Sequence, residues 1–427
     1  MYHFPIAFRL KVVRAPECGA SKNSLIYEQL MKSREKPLPG QAKKNKTAAA
    51  LPAYRLIRTT ADLNGFVEQI RDDNILAVDL EADSMFHFKE KVCLVQMAGN
   101  GENVVIDPLE VDDLSPLRPI FKDNAICKVF HGSDYDVRSL YRDFGIEIEN
   151  LFDTQLASMF LGERETSLGA VVLNRFGIRL DKRYQKKDWS QRPLPDGMVD
   201  YAASDVYHLI PLARQLMTEL KAKDRLDWVR EECRYLSEVR PVENGNDPLF
   251  LRFRGAGRLP RRNLAALEGL LHYRRKLAIK KDRPLFKVFA NAALLNIAAE
   301  MLDSPRAMEE ARCLSAKQIR IYGKSLAAVV KKAKAMNEKD LPVYPRRRRR
   351  SVSARVPERV KAIKAWRDEL ADRLEMDPAL LFNKALITAI AVGKPRNKKS
   401  LLQIESIRNW QVNAFGEDLL RVLSDLP

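Results

Sequence analysis

Two stretches of the chain carry one pattern, LEGLLHYRRKLAIKKDRPLFKVFANAALLNIA at 267–298 and VKAIKAWRDELADRLEMDPALLFNKALITAIA at 360–391. At a constant offset Tyr273-Arg274 matches Trp366-Arg367, Leu277-Ala278 matches Leu370-Ala371, Phe289 matches Phe382, and Ile297-Ala298 matches Ile390-Ala391. Further on, YGKSLAAVV (322–330) matches FGEDLLRVL (415–423) at the same offset. A repeat of this kind requires two copies of one small helical unit, so the chain beyond about residue 240 is predicted to be two related helical modules. Between them PVYPRRRRRSVSARVP (342–357), with its prolines and five consecutive arginines, reads as an exposed linker.

Ahead of the repeat the pattern is mixed α/β. LAVDLEA (76–82), VCLVQMAG (92–99), NVVIDPL (103–109) and ICKVFHG (126–132) are short apolar or β-branched runs separated by turn residues, as strands of one sheet require. A helix is predicted over 133–145, where Val137, Leu140, Tyr141 and Phe144 recur at spacings of three and four, with Ser133 as N-cap and Gly145 as the stop. Another begins near Asp196 and carries Val199, Ala202, Ala203, Val206, Leu209 and Ile210 on one face; Pro211 is expected to kink it or to start a new helix. Residues 1–52 lack sustained periodicity, hold Lys43, Lys44 and Lys46 and few acids, and read as a flexible basic extension, with a targeting peptide as the alternative.

A length of 427 residues, 46% of them hydrophobic, suits two or three domains with their own cores. The formal net charge of +18 calls for a polyanionic partner, nucleic acid first among them. Five scattered cysteines without a CxxC pair point to a reducing compartment and away from a structural zinc site. No apolar run approaches the roughly 18 residues of a membrane span, and MYHFPIAF is too short and poorly flanked for a secretory signal, so a cytoplasmic protein with no membrane partner is expected.

The stretch ILAVDLEAD (75–83) runs apolar and then turns acidic at alternate positions. In a strand Asp79 and Glu81 emerge on the same face, at its C-terminal end. Asp136 lies in the first turn of the helix after ICKVFHG, and Asp205 sits four residues after Tyr201 on a shared helical face. Four carboxylates brought to one point repel one another unless cations neutralise them. Hard divalent ions such as Mg²⁺ or Mn²⁺ suit an all-oxygen set. Two such ions about 3.5–4 Å apart activate a water and stabilise the leaving oxygen of a phosphodiester, and Tyr201 would orient that water. Taken singly the residues have plainer readings: a DxE pair as a turn, an Asp at a helix start as a cap, a YxxxD pair as packing. Their order and context together raise them above that.

VDLEADS, FHGSDYDV and DYAASDVYHL, in that order, resemble the ribonuclease D family of the DEDD superfamily of 3′–5′ exonucleases, as do FDTQLASMFLG (152–162) and KKDWSQRPLP (186–195). The duplicated modules resemble HRDC domains, and a pair of them after the exonuclease is the arrangement of bacterial ribonuclease D; no GxxxxGK[ST] is present to suggest a linked helicase. The resemblance implies an α/β, ribonuclease H-like exonuclease domain, a mixed sheet flanked by helices, followed by two all-α HRDC domains. The expected limits are a basic extension over 1–52, the exonuclease over 53–225, a connecting helix and linker over 226–258, HRDC domains over 259–335 and 355–427, and an Arg-rich linker over 336–354. It further implies Asp79, Glu81, Asp136 and Asp205 as ligands of two metal ions and Tyr201 as the water-orienting group, in the tyrosine subclass, since no histidine stands near Asp200. Leu80 stands where many members have Thr, a place in contact with the terminal nucleotide.

The implied substrate is a single-stranded RNA 3′ end, shortened to nucleoside 5′-monophosphates, with tRNA precursors and other small structured RNAs as the pool. Phe86, Phe88, Tyr184 and Trp189 lie near Lys89, Lys91, Lys186, Lys187 and Arg192, an interleaving that suits base stacking and backbone grip, with plain packing as the alternative. Leu80, Phe86, His131, Lys187, Trp189 and Arg192 are the candidate substrate contacts, although His131, like His208, reads first as structural. The helical modules and Arg346–Arg350 would hold the body of the RNA through phosphates. A monomer is expected. A DNA 3′–5′ exonuclease and a non-catalytic RNA-binding protein on the same fold remain as competing readings.

Overall fold

Four of the strands follow from buried apolar runs, and the sheet they build sets out the rest. The structure, a computed structural model, describes residues 53–99, 101–241, 245, 247–345 and 353–425; the extension 1–52 and the run Arg346–Arg350 lie outside the described residues. The strands are β1 (Arg55–Ile57), β2 (Ile75–Ala82), β3 (Val92–Gly99), β4 (Glu102–Ile106), β5 (Cys127–Phe130) and β6 (Leu151–Asp153), in the order β1-β4-β3-β2-β5-β6. β2 pairs antiparallel with β3 and parallel with β5, so the sheet is mixed. β1 and β6, three residues each at the two edges, extend the four strands expected from sequence. β3 is buried along its whole length, which is why it reads as a continuous apolar run.

The helix Asp134–Phe144 ends at Gly145, whose φ of 62° is the left-handed conformation expected of a stop residue there. Ser133 takes the N-cap position but caps nothing: its hydroxyl donates to Asp153 Oδ2 at 2.8 Å instead. The helix Asp196–Tyr207 packs on β2, β3 and β4. After His208 a new helix, Leu209–Ala222, begins with Pro211 in its first turn, where a missing N–H costs nothing.

Beyond β6 and the helix Leu226–Ser237 the described chain is helical. One module is built on Arg261–Lys281, Asn291–Ala299 and Ala316–Lys334, the other on Val356–Leu374, Lys384–Gly393 and Asn409–Ser424. Their interiors repeat bond for bond. Arg274 donates to the Phe289 carbonyl at 3.1 Å, and Arg367 to the Phe382 carbonyl at 2.8 Å. Gln318 Nε2 donates to the Val288 carbonyl at 3.2 Å, and Gln411 Nε2 to that of Leu381. The long first helix ends in each case on a left-handed residue, Asp282 (φ 44°) and Glu375 (φ 53°).

Both of these corners touch the exonuclease part, at different places. Asp282 accepts from the backbone N–H of Phe88 at 3.1 Å and pairs with His87 Nδ1 at 2.6 Å, while His87 Nε2 meets Ser190 Oγ at 2.9 Å. Phe88 packs on the core of the first module. In the second, Arg225 Nη2 donates to the Leu374 carbonyl at 2.7 Å, and Gly162 lies so near the Glu375 carbonyl that a Cβ there would stand 2.2 Å from its oxygen. Gly162 is also left-handed, with φ 93°. Trp410 stacks on Trp228 with centroids 4.9 Å apart, and its indole N–H donates to Glu232 at 2.9 Å. Glu231 accepts the backbone N–H groups of Asn409 and Trp410, both at 2.8 Å, supplying from another helix the acceptors that a helix N-terminus lacks.

Candidate active site

β2 presents Asp79 and Glu81 on one face, and the antiparallel register sets Gln96 and Leu94 of β3 directly beside them. Leu80, between the two acids, is buried on the opposite face against Val95, away from the acids, so it does not face a nucleotide bound there.

Asp136 is 8% exposed, one turn into the helix Asp134–Phe144. The approach to that helix is fixed by a residue that the sequence reading passed over. Asp153, at the end of β6, accepts from Gly132 N (3.0 Å), Ser133 N (2.7 Å) and Ser133 Oγ (2.8 Å), and also from Gln155 N (2.9 Å) and Leu156 N (3.0 Å). One buried carboxylate thus caps the helix Thr154–Phe160 and orders the loop that delivers Asp136. The visible signal was an acid standing immediately ahead of a helix.

Tyr201 and Asp205 come from the helix Asp196–Tyr207, tied to the sheet by Asn103 Nδ2, which donates to the Ala203 carbonyl at 2.8 Å. Tyr201 and Asp205, one helical turn apart, lie close enough for each to bear on the other's ionisation. Its ring sits between Tyr184, edge-on at 5.9 Å, and Trp189 at 6.0 Å.

The three segments sense one another. Burial pushes Glu81 well above the usual carboxylate range, and the charges of Asp79, Asp205 and Asp136 push it further. Asp136 is raised by burial, then by Asp79 and Asp153; Asp205 is raised by burial, then by Asp79. Asp79 is pushed up by burial to about 6. The Tyr201 phenol is raised by burial, then by Asp205, Glu81 and Asp79. Among the described residues no three His, Cys, Asp or Glu side chains close around a single metal-sized point, so the acids share one field without forming a finished ligand shell.

The proposed substrate contacts divide. Lys187 is exposed. Trp189 is 1% exposed and backs Tyr201, which corrects the expectation that it stacks on a base. Arg192 is also corrected: it forms a two-pronged ion pair with Asp107 at 2.7 and 2.6 Å and donates to the Cys93 carbonyl at 3.0 Å, tying the 186–195 loop to the end of β4. Phe86 has Lys287 of the first module 4.3 Å from its ring centroid, so that module covers a ring face expected to meet a base. His131 bonds Thr154 Oγ1 through Nδ1 at 2.9 Å, and burial lowers its pKa. His208 is buried, and its pKa is lowered for the same reason.

Comparison with known proteins matches the domains of this fold. The family model described as 3′–5′ exonuclease matches residues 54–221, and that described as HRDC domain matches 263–330 and 357–423. The chain is 29% identical to ribonuclease D of Gluconacetobacter diazotrophicus over 375 residues, covering 87% of this chain and 93% of that protein. The crystal structure of Escherichia coli RNase D, 27% identical, superposes with a TM-score of 0.66 over 88% of this chain and 100% of that one. The catalytic core of RRP6 from Trypanosoma brucei, 29% identical, gives 0.56 over 69% of this chain and 84% of that one. Fold and matched domains together define a hydrolytic 3′–5′ exonuclease. With its two HRDC domains, the chain belongs to the ribonuclease D family.

Proposed function

We propose that this 3′–5′ exoribonuclease holds a pair of divalent cations, Mg²⁺ or Mn²⁺, on Asp79, Glu81, Asp136 and Asp205, and trims the 3′ ends of tRNA precursors and other small structured RNAs as a cytoplasmic monomer. The reading is supported by the placement of Asp79 and Glu81 on one face of β2, with the helix that carries Asp205 packed on that strand and the helix that carries Asp136 packed on β3 beside it, and the charges of Asp79, Asp205 and Asp136 bear on Glu81. The donor set fits the ions. It is all oxygen, and among the described residues the charges acting most strongly on these acids are negative. When bound, such cations supply charge neutralisation and Lewis acidity at the scissile phosphate.

The chain's own residues do the positioning. Burial and the surrounding acids keep the Tyr201 phenol protonated through neutral pH, so it acts as a hydrogen-bonding guide for the attacking water and not as a base. Tyr184 and Trp189 fix the plane of its ring. Water adds to the terminal phosphorus and the P–O3′ bond breaks. The departing O3′ takes up a proton to become the new 3′-hydroxyl, and a nucleoside 5′-monophosphate is released. A reducing cytoplasm is consistent with Cys93, Cys233 and Cys313, which carry free thiols.

The test is incubation of a 3′-extended tRNA labelled at either end with Mg²⁺ or Mn²⁺. A ladder shortening from the 3′ end with mononucleotide release is expected, and Asp79→Asn should lower the rate by at least about 100-fold while RNA binding persists. Undiminished hydrolysis by that variant would remove these acids from the chemistry. Faster turnover of a matched DNA strand would reassign the substrate.

A further inference from the structure

Gln96 is fully buried, and among the described residues neither its amide nitrogen nor its amide oxygen has a hydrogen-bond partner. Such a group is expensive to keep. A buried amide without partners forfeits its bonds to water and gains none in return, and native interiors tolerate few of them. An apolar residue of similar length would avoid that cost, as Val95 and Met97 on either side show.

Its location explains what it is for. In the β2–β3 register Gln96 is the direct cross-strand partner of Asp79, so the two side chains leave the sheet on the same face, with Cβ atoms about 4.5–5.5 Å apart. The helix that carries Tyr201 and Asp205 packs over that face. A glutamine at that separation reaches the Asp79 carboxylate by a change of side-chain rotamer.

We propose that Gln96 is a positioning residue for the hydrolytic site: its amide N–H donates to the Asp79 carboxylate and holds that group in the orientation in which it binds a divalent cation. This rests on the reading of Asp79 as a metal ligand. Groups that hold a ligand from behind typically change metal affinity or activity by about 10–100-fold when removed. Gln96 therefore trades a little stability of the metal-free fold for a fixed ligand.

The test uses the full chain with Gln96→Met, which keeps the length and removes both polar atoms. The metal-free variant should melt at the same temperature as the unaltered protein or higher, since no hydrogen bond is lost. Hydrolysis of a 3′-extended RNA should fall about 10–100-fold, and the Mn²⁺ concentration giving half of the metal-induced rise in melting temperature should increase by a similar factor. Gln96→Leu, which likewise removes both polar atoms, should show the same loss and serves if the methionine variant does not fold. Unchanged metal dependence and unchanged hydrolysis in these variants, with Asp79→Asn inactive, would overturn the role of Gln96 and leave the site intact. An Asp79→Asn protein that still hydrolyses RNA and still gains stability from Mn²⁺ would overturn the ligand reading itself, and this role with it.

Discussion

The two HRDC modules are alike inside and unlike where they meet the exonuclease. Inside, an arginine on the long first helix fastens a phenylalanine carbonyl, and a glutamine on the last helix fastens the carbonyl just before it, in both copies. Outside, the first module reaches the loop after β2 through the Asp282–His87 pair, the Phe88 N–H and the Phe88 ring, which packs on its core. The second is held to the helix Leu226–Ser237 by a Trp228–Trp410 stack and two glutamates. The offset that aligns the copies sets exposed Lys317 where the second has buried Trp410. Duplication thus kept the bonds that define the unit, while docking was settled separately by a few surface positions. The firmly seated module lies against the helix bordering β6; the lightly held one lies against the loop that follows the acidic strand.

The largest test of that contrast is Trp410→Ala, expected to cost about 3–5 kcal/mol because an aromatic packed between Trp228, Phe160 and Phe415 is removed. Lys317→Ala, its counterpart, should stay within about 0.5 kcal/mol. Denaturant unfolding of the two proteins measures both, and equal costs would contradict the asymmetry. Next come Arg274→Met and Arg367→Met. Each leaves a carbonyl without its charged donor and should cost roughly 1.5–3 kcal/mol, similar in the two modules. Markedly different melting temperatures would show that the shared interior is not energetically shared.

The smallest effect is expected at the first module's corner. His87, then the Phe88 N–H, hold the Asp282 carboxyl below its usual range. A depressed folded-state pKa means that this contribution is present above the unfolded value and is lost as pH falls through the folded one. Asp282→Asn should therefore barely move the melting temperature at neutral pH, flatten its decline on acidification, and raise the KM for RNA a few-fold at most with kcat preserved. A collapse of kcat would mean that this corner shapes the catalytic acids and not merely the loop beside them.

Most of the sheet was legible because β2 to β5 are apolar runs bounded by turn residues, and the acids were legible because alternation along a strand and a four-residue helical spacing are local rules. β1 and β6 were not, since three residues leave too little pattern. Trp189 and Arg192 misled for a physical reason. An aromatic beside basic residues looks the same in sequence whether it faces solvent or core, and the partner that takes Arg192 inward, Asp107, lies on a different strand connection. The loop-ordering role of Asp153 and the place of Gln96 were hidden for the converse reason. The first matters through donors in a loop twenty residues earlier, the second through a strand register that only pairing reveals.

Gly162 links two histories. Its left-handed backbone already disfavours a side chain, and the Glu375 carbonyl of the second module bars even a methyl group. Alanine there would act as a wedge, prising the module from its seat with every catalytic acid untouched. A kindred enzyme that had shed its terminal module would be relieved of one of the two constraints, so what occupies this place is a tell-tale of whether that module is still docked.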